Sequence, residues 1–209
     1  MKKTPQDAED FIAEQKKILA EQPECANSSY NMGVALMEEG RLEEAIEAFN
    51  NAIENSARMF EAYVNLGYIY FKQGDLHRVV DSNLKAVEIE PRYARGYANL
   101  GFAYLQLART DDAIESLRKA IELNPDIVQA WSNLINAYLQ KDDVDKAIET
   151  GEQLVKKAPD FALGHNNLAS AYYTKEDYKK AIEHVDKASS LGFQVHPELI
   201  KRLEAHRRK

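Results

Sequence analysis

The chain has few residues that break regular secondary structure, with only six prolines and nine glycines among its 209 residues. Such a composition favours long helices over a sandwich or barrel of many short strands, whose turns need these residues. Hydrophobic residues make up 44% of the chain, but no uncharged apolar run approaches the roughly 20 residues that cross a bilayer. The composition therefore predicts an all-α protein without membrane insertion.

Cysteine is almost absent. The single Cys25 excludes an intramolecular disulfide and any metal site built from several thiolates. The first residues turn acidic after Lys2 and Lys3 and contain no apolar segment of the kind found in signal peptides. Together these features predict a cytoplasmic protein.

Basic residues are fewer than acidic residues, and the formal net charge is -7. Lysine and arginine are interspersed with aspartate and glutamate instead of gathering in one stripe. Because an acidic chain without a basic stripe repels a phosphate backbone, we expect no nucleic-acid partner.

Motifs of catalysis and of cofactor binding are also missing. The chain contains no glycine-rich phosphate loop, no nucleophile elbow and no histidine pair at metal-binding spacing. Four histidines lie far apart in sequence and at unrelated positions of any repeat: His77, His165, His184 and His196. We therefore predict that the protein is not an enzyme and has no catalytic residues, no metal and no cofactor.

What the chain does contain is a short phrase that returns every 34 residues. Each copy has an asparagine, then a leucine or methionine, then a glycine, alanine or isoleucine. The copies lie at 30–33, 64–67, 98–101, 132–135 and 166–169. If the last residue of each copy is placed at position 8, repeats follow without a gap over 26–59, 60–93, 94–127, 128–161 and 162–195.

These repeats resemble the tetratricopeptide repeat (TPR) family, whose pattern has an aromatic residue at position 4, tyrosine at 11, alanine at 20 and 27, and proline at 32. Small residues let the two helices of a hairpin approach closely, and proline ends the second helix. The matching residues are Tyr63, Tyr97 and Trp131 at position 4; Tyr70, Tyr104, Tyr138 and Tyr172 at 11; Ala45, Ala113, Ala147 and Ala181 at 20; Ala52, Ala86, Ala120 and Ala188 at 27; and Pro91, Pro125 and Pro159 at 32.

The resemblance implies an all-α fold, a right-handed TPR superhelix (α-solenoid) of antiparallel helical hairpins with terminal capping helices. Residues 8–23 align with 42–57 at the same 34-residue offset, so the segment 1–25 is predicted to be the second helix of an incomplete hairpin. The segment 196–209 is predicted to be a capping helix that hides the apolar side of the last repeat.

The turn between the two helices of a repeat is expected to vary along the chain. Gly40 and Gly74 occupy position 15 in the first two repeats and suit a left-handed helix end. Ala108, Asp142 and Glu176 stand there in the other repeats, so a different turn is expected in them.

The face of the first helix that packing leaves free comprises positions 2, 6, 9 and 13. In TPR proteins, by resemblance, this face lines the concave groove where ligands lie. Position 6 is asparagine in every repeat, although asparagine is a mediocre helix former. The amide donates and accepts hydrogen bonds, as the backbone of an extended peptide requires. These asparagines are Asn31, Asn65, Asn99, Asn133 and Asn167.

Similar asparagine ladders occur in the TPR domains of O-linked N-acetylglucosamine transferases and of kinesin light chains. The alternative is that the repeats arose by duplication and the asparagines only bond to neighbouring loops. The sequence alone leaves both open.

Other candidate peptide-binding residues flank the ladder. Tyr68 and Phe102 at position 9 are predicted platforms for an apolar or aromatic side chain, and Asn136 holds the same position further on. Lys72 and Arg95 could meet a carboxylate of the ligand, although pairing with Glu61 or Glu38 is favoured. Phe71 and Tyr173, at position 12, are predicted to pack between repeats.

The sequence therefore predicts a non-enzymatic adaptor, scaffold or assembly factor whose partner is another protein, bound as an extended peptide in the groove. The alternative is a scaffold that self-associates, or that docks a folded partner through its convex face or end helices, so a homo-oligomer stays open. A clamp for a terminal carboxylate, as in TPR co-chaperones, is disfavoured, because Tyr30 and Val34 stand where that motif has lysine and asparagine.

Overall fold

The computed structural model describes residues 5–207, and this part of the chain is helical throughout, with short turns between helices. Residues 1–4 and 208–209 of the predicted terminal segments lie outside the described residues. The helices are α1 (Pro5–Glu21), α2 (Ala26–Glu38), α3 (Leu42–Asn55), α4 (Phe60–Gln73), α5 (Leu76–Ile89), α6 (Ala94–Gln106), α7 (Thr110–Leu123), α8 (Val128–Gln140), α9 (Val144–Lys157), α10 (Ala162–Thr174), α11 (Tyr178–Ser190) and α12 (Pro197–Arg207).

Helices α2 to α11 form consecutive pairs, and one pair falls within each predicted repeat. The first helices are α2, α4, α6, α8 and α10, and each is followed by its second helix. The repeat boundaries themselves stay a prediction. Among the described residues, α1 precedes the first pair and α12 follows the last.

The chain divides into two compact units, residues 1–96 (unit 1) and 97–209 (unit 2). In unit 1, α1 packs on α2, α3 packs on both α2 and α4, and α4 packs on α5. In unit 2, each helix from α7 to α11 packs on the next. First helices also touch each other directly, α2 with α4 in unit 1 and α8 with α10 in unit 2. The first helices therefore lie side by side within each unit.

The small residues of the repeat are buried where helices cross. A side chain at Gly33 would meet the ring of Phe49 at 2.7 Å, and one at Gly101 would meet Leu117 Cδ2 at 2.6 Å. The alanines at positions 20 and 27 are completely buried, as the close approach of two helices requires. They are Ala45, Ala52, Ala86, Ala113, Ala120, Ala147, Ala181 and Ala188.

The turn after each first helix has one geometry, and the expectation of a different turn in the later repeats is wrong. Gly40 and Gly74 have φ values of 77° and 76°, and Ala108, Asp142 and Glu176 have 56°, 61° and 64°. In every turn the N–H of the residue after the left-handed one bonds back to a carbonyl in the last turn of the helix, such as Asp143 N–H to the Tyr138 carbonyl oxygen at 2.9 Å. This bond holds the left-handed residue in place whether or not it is glycine.

Three second helices begin at an aspartate that caps them. The carboxylates of Asp75, Asp143 and Asp177 accept a hydrogen bond from the backbone N–H three residues later, at 3.0, 3.3 and 3.2 Å. Each carboxylate satisfies a donor that the first helical turn leaves unpaired. The turn and the cap together fix where each of these hairpins reverses direction.

Candidate functional site

The free face of the first helices, defined by positions 2, 6, 9 and 13 of each repeat, is accessible in unit 1. On α4 these positions are Glu61, Asn65, Tyr68 and Lys72, and three of them are exposed while Asn65 is half-buried. Their spacing of four, three and four residues places them on one side of the helix.

Two aromatic residues and a lysine form the most exposed apolar part of α4; Tyr68 and Lys72 belong to the free face, and Phe71 lies beside it at position 12. Tyr68 is 49% exposed and Phe71 is 48% exposed. The Lys72 ammonium lies 5.5 Å from the centroid of the Tyr68 ring, a cation–π distance. The predicted packing of Phe71 between repeats stays a prediction, and about half of its surface faces solvent. We call Tyr68, Phe71 and Lys72 the aromatic-lysine patch.

The expected ion pairs of this region do not form. Among residues 5–207, neither Lys72 nor Arg95 pairs with a carboxylate, so the pairing with Glu61 or Glu38 that the sequence favoured is wrong. Lys72 points instead along its own helix to Tyr68, four residues earlier. Arg95 is exposed at the start of α6. Both cations are therefore available to a ligand.

The position-6 asparagines of unit 1 differ in environment. Asn31 is exposed, and Asn65 is half-buried with its Nδ2 donating to the Tyr30 hydroxyl oxygen at 3.3 Å. Tyr30 lies on α2, so this bond joins two neighbouring first helices.

Two of the asparagines in unit 2 are buried between helices. Asn167 is 6% exposed, and its Nδ2 donates to the carbonyl oxygen of Ser132 at 3.2 Å and to its hydroxyl oxygen at 2.8 Å. Asn133 is 8% exposed and accepts from Gln129 Nε2 at 3.5 Å. Asn99 is exposed. The structure thus gives Asn167 a role in holding α10 to α8.

The free face of unit 2 carries no ionisable side chain. Asn136 is exposed and Phe102 is half-buried. The face offers amides and hydroxyls with two apolar residues, although 29% of the chain is charged. Its members are Asn99, Phe102 and Gln106 on α6, Gln129, Asn133, Asn136 and Gln140 on α8, and Leu163, Asn167, Ser170 and Thr174 on α10.

Sequence reasoning missed a histidine pair within unit 2. His165 on α10 and His184 on α11 place their Nδ1 atoms 3.0 Å apart, and the ring of Tyr172 stacks on His184. The two histidines therefore meet in space although they lie 19 residues apart and at unrelated positions of the repeat. The signal was available at position 4, where His165 replaces the aromatic residue of other repeats.

The pair has no third partner of the kind that a metal needs. Within the described residues, no group of three His, Cys, Asp or Glu side chains could hold a metal ion. No helix of this part of the chain is long and apolar enough to cross a membrane.

Antiparallel helix pairs that recur at a fixed period, with small residues at the helix crossings, define a helical-repeat protein. Models described as tetratricopeptide repeat match residues 60–93, 98–160 and 152–190, and one described as TPR repeat matches 33–74. The chain therefore belongs to the tetratricopeptide repeat family, and the resemblance inferred from its sequence is confirmed. The family and fold make it a protein-interaction module.

Solved structures of other TPR-like proteins share the fold. YrrB, described as a TPR protein with an unusual peptide-binding site, is 23% identical with a TM-score of 0.79, over 91% of this chain and 97% of that chain. A MamA protein is 25% identical with a TM-score of 0.74, over 79% and 91%. The pilF protein of Pseudomonas aeruginosa is 20% identical with a TM-score of 0.70, over 86% and 84%. No curated protein matches the chain in sequence.

Proposed function

We propose that this protein binds an extended segment of another protein along the free face of its first helices and acts as an adaptor, scaffold or assembly factor without catalysis. The observation that carries the proposal is the uncharged, amide-rich free face of unit 2. Amides supply donors and acceptors together, which matches the alternating N–H and C=O groups of an extended backbone. A surface without charge favours no particular charged side chain of the ligand.

Unit 1 supports the proposal in a different way. The aromatic-lysine patch offers two half-exposed rings and a cation without a carboxylate partner. Rings of this kind are common anchors in protein interfaces because they bury a large area at a small cost in conformational entropy. Unit 1 is therefore proposed to recognise side chains, with Arg95 as a second cation at the edge of this face.

The asparagines divide into two groups in this proposal. Asn31, Asn65 and Asn99 are solvent-accessible and are proposed to bond the ligand backbone, together with the exposed Asn136. The buried Asn167 is proposed to hold α10 and α8 in register beneath the ligand. The peptide-binding site named in the description of YrrB supports a peptide ligand for this fold.

A selection from a displayed library of unstructured peptides, with the full chain as bait, tests the proposal. Peptides recovered with the wild-type protein are then measured by titration against the double variant Tyr68→Ala and Lys72→Ala. Loss of a ring and a cation from one contact is expected to weaken binding by at least about tenfold. The helical signal and the melting curve should not change, since both side chains are exposed.

The matched control lies on the second helix of the same repeat. Leu84 is 44% exposed and Lys85 is exposed, so Leu84→Ala with Lys85→Ala removes the same kinds of side chain from another surface. Binding should survive this change. If the control abolishes binding while the α4 variant retains it, the ligand uses the surface of the second helices, as the alternative of a convex docking platform requires.

A further inference from the structure

We propose that the His165–His184 pair is a proton-sensitive latch that holds α10 against α11 at neutral pH and weakens that contact in mildly acidic solution. The consequence for ligand binding rests on the proposed function, because α10 carries part of the free face. The proton dependence of the packing does not depend on it.

The latch joins the two helices of the last repeat to the end of the repeat before it. His165 is 6% exposed, and its Nε2 lies 2.9 Å from the carbonyl oxygen of Pro159 in the turn before α10. Its Nδ1 lies 3.0 Å from Nδ1 of His184 on α11. The rings stack with centroids 5.2 Å apart, and His184 is only partly accessible.

The bond to Pro159 determines which nitrogen of His165 carries a proton. A carbonyl oxygen only accepts, so Nε2 of His165 must donate. The preceding repeat shows the same bond with a donor of fixed identity, because the indole Nε1 of Trp131 lies 2.9 Å from the carbonyl oxygen of Pro125. Neutral His165 therefore has its lone pair on Nδ1, an assignment made from the hydrogen-bond network.

The contact between the rings then depends on one shared proton. His184 must donate its Nδ1–H to Nδ1 of His165, and its own lone pair lies on Nε2. A proton added at His184 Nε2 places a positive charge within this partly buried pair, directly beside the second imidazole ring. Burial and the neighbouring ring both disfavour that charge while α10 and α11 stay packed.

The surroundings of the pair disfavour the charged form. Burial lowers the pKa of the His184 imidazole below its ordinary 6.5, and the neighbouring His165 lowers it further. Lys180 on α11 acts in the same direction, while Glu183 on α11 and Glu152 on α9 oppose it. From α10, Tyr172 stacks on the ring, and its hydroxyl bonds to Glu152 and Lys180.

The direction of the pH effect follows from the lowered pKa. Because the folded protein binds a proton at His184 less readily than the unfolded chain, acid favours unfolding. The stabilisation is complete above about pH 6.5 and is lost as the pH falls below that value. One such histidine changes the folding equilibrium by up to about tenfold for each pH unit in this window.

A movement of His165 would also displace its neighbours on α10. Asn167, two residues later, makes the hydrogen bonds to Ser132 on α8. The preceding residue, Gly164, is tightly packed, since a side chain there would meet Leu154 at 2.9 Å and Phe161 at 3.0 Å. The backbone of α10 therefore has little space to move at this point. Loss of the latch is therefore expected to loosen the free face of α10.

Denaturant unfolding of the full chain tests the latch at about pH 7.5 and about pH 5.5. Trp131, the only tryptophan, reports on unit 2 by fluorescence. The wild-type folding equilibrium should fall over this range through His184, by up to about tenfold. His184→Gln and His165→Tyr should lose that part of the dependence, and His77→Gln, an exposed histidine of unit 1, should keep it.

A purely structural role would lower stability equally at both pH values, and variants that retain the wild-type pH dependence would overturn the proposal. If the variants do not fold, the latch is tested instead by titrating the His184 ring in the wild-type chain by NMR. A midpoint below 6.5 supports the latch, and a midpoint at or above 6.5 excludes it. Neither measurement needs a ligand, so the latch can fail while the proposed function stands.

Discussion

At the scale of single residues, the end of each first helix shows how backbone geometry can prevail over residue preference. Ala108, Asp142 and Glu176 adopt positive φ angles that cost an L-residue about 1–2 kcal/mol relative to the right-handed region. Gly40 and Gly74 meet the same requirement without that cost. The backbone bond across the turn is therefore strong enough to impose the conformation on unsuited residues.

Exchanging residues at this position should produce effects of opposite sign. Gly74→Ala is expected to destabilise the protein by about 1 kcal/mol, because no atom lies within 4 Å of the added methyl group and only the backbone conformation opposes it. Ala108→Gly is expected to stabilise by up to about 1 kcal/mol, less the entropy that glycine gains when unfolded. Denaturant titration of both variants measures the two effects. If both substitutions changed the free energy of unfolding in the same direction, the turn would not carry this strain.

At the scale of elements, two of the position-6 asparagines link neighbouring first helices. Asn167 on α10 bonds to Ser132 on α8, and Asn65 on α4 bonds to Tyr30 on α2. The acceptors Ser132 and Tyr30 both occupy position 5 of the preceding repeat. The same column of residues can therefore hold two helices in register where it is buried and bind a partner where it is accessible.

This division predicts different costs for the same substitution. Asn167→Ala should destabilise the protein by about 1–3 kcal/mol, because it removes bonds between helices and leaves a buried acceptor at Ser132 without its donor. Asn31→Ala should change stability by less than about 0.5 kcal/mol, since this side chain is exposed. Thermal and denaturant unfolding compare the two. A variant for binding studies should therefore change the exposed Asn31 and Asn99 and leave Asn65, Asn133 and Asn167 in place.

At the scale of the whole molecule, α12 packs on the last helix pair of unit 2. Leu203 of α12 is completely buried against the last repeat. His206 stacks on Tyr178 of α11 with centroids 3.6 Å apart, and Arg207 pairs with Asp186 of the same helix. Helix α12 therefore covers apolar surface that a further repeat would otherwise bury.

Leu203→Ala is expected to destabilise the protein by about 2–5 kcal/mol, the usual cost of emptying a fully buried leucine site. Leu84→Ala, at an exposed leucine, should change stability by less than about 0.5 kcal/mol. Unfolding followed through Trp131 measures both changes. A small effect at Leu203 would mean that α12 is not needed to close unit 2.

The role of α12 also changes how self-association should be tested. Deleting residues 196–209 would expose the surface around Leu203, and the truncated chain could associate for that reason alone. Light scattering of the full chain at several concentrations avoids this problem. A mass that rises with concentration would favour the alternative of a self-associating scaffold.

The sequence by itself determined the helical-repeat fold, because a 34-residue period of small, aromatic and proline positions leaves one way to bury every repeat. It also indicated which face of each first helix stays free, since that follows from helical spacing within one repeat. Only the tertiary structure decided that Asn167 is buried while Asn31 is exposed, that Ala108 adopts a left-handed turn, and that His165 meets His184. Each of these depends on which residues a neighbouring helix brings close, and contacts between helices are not encoded in the period of any single helix.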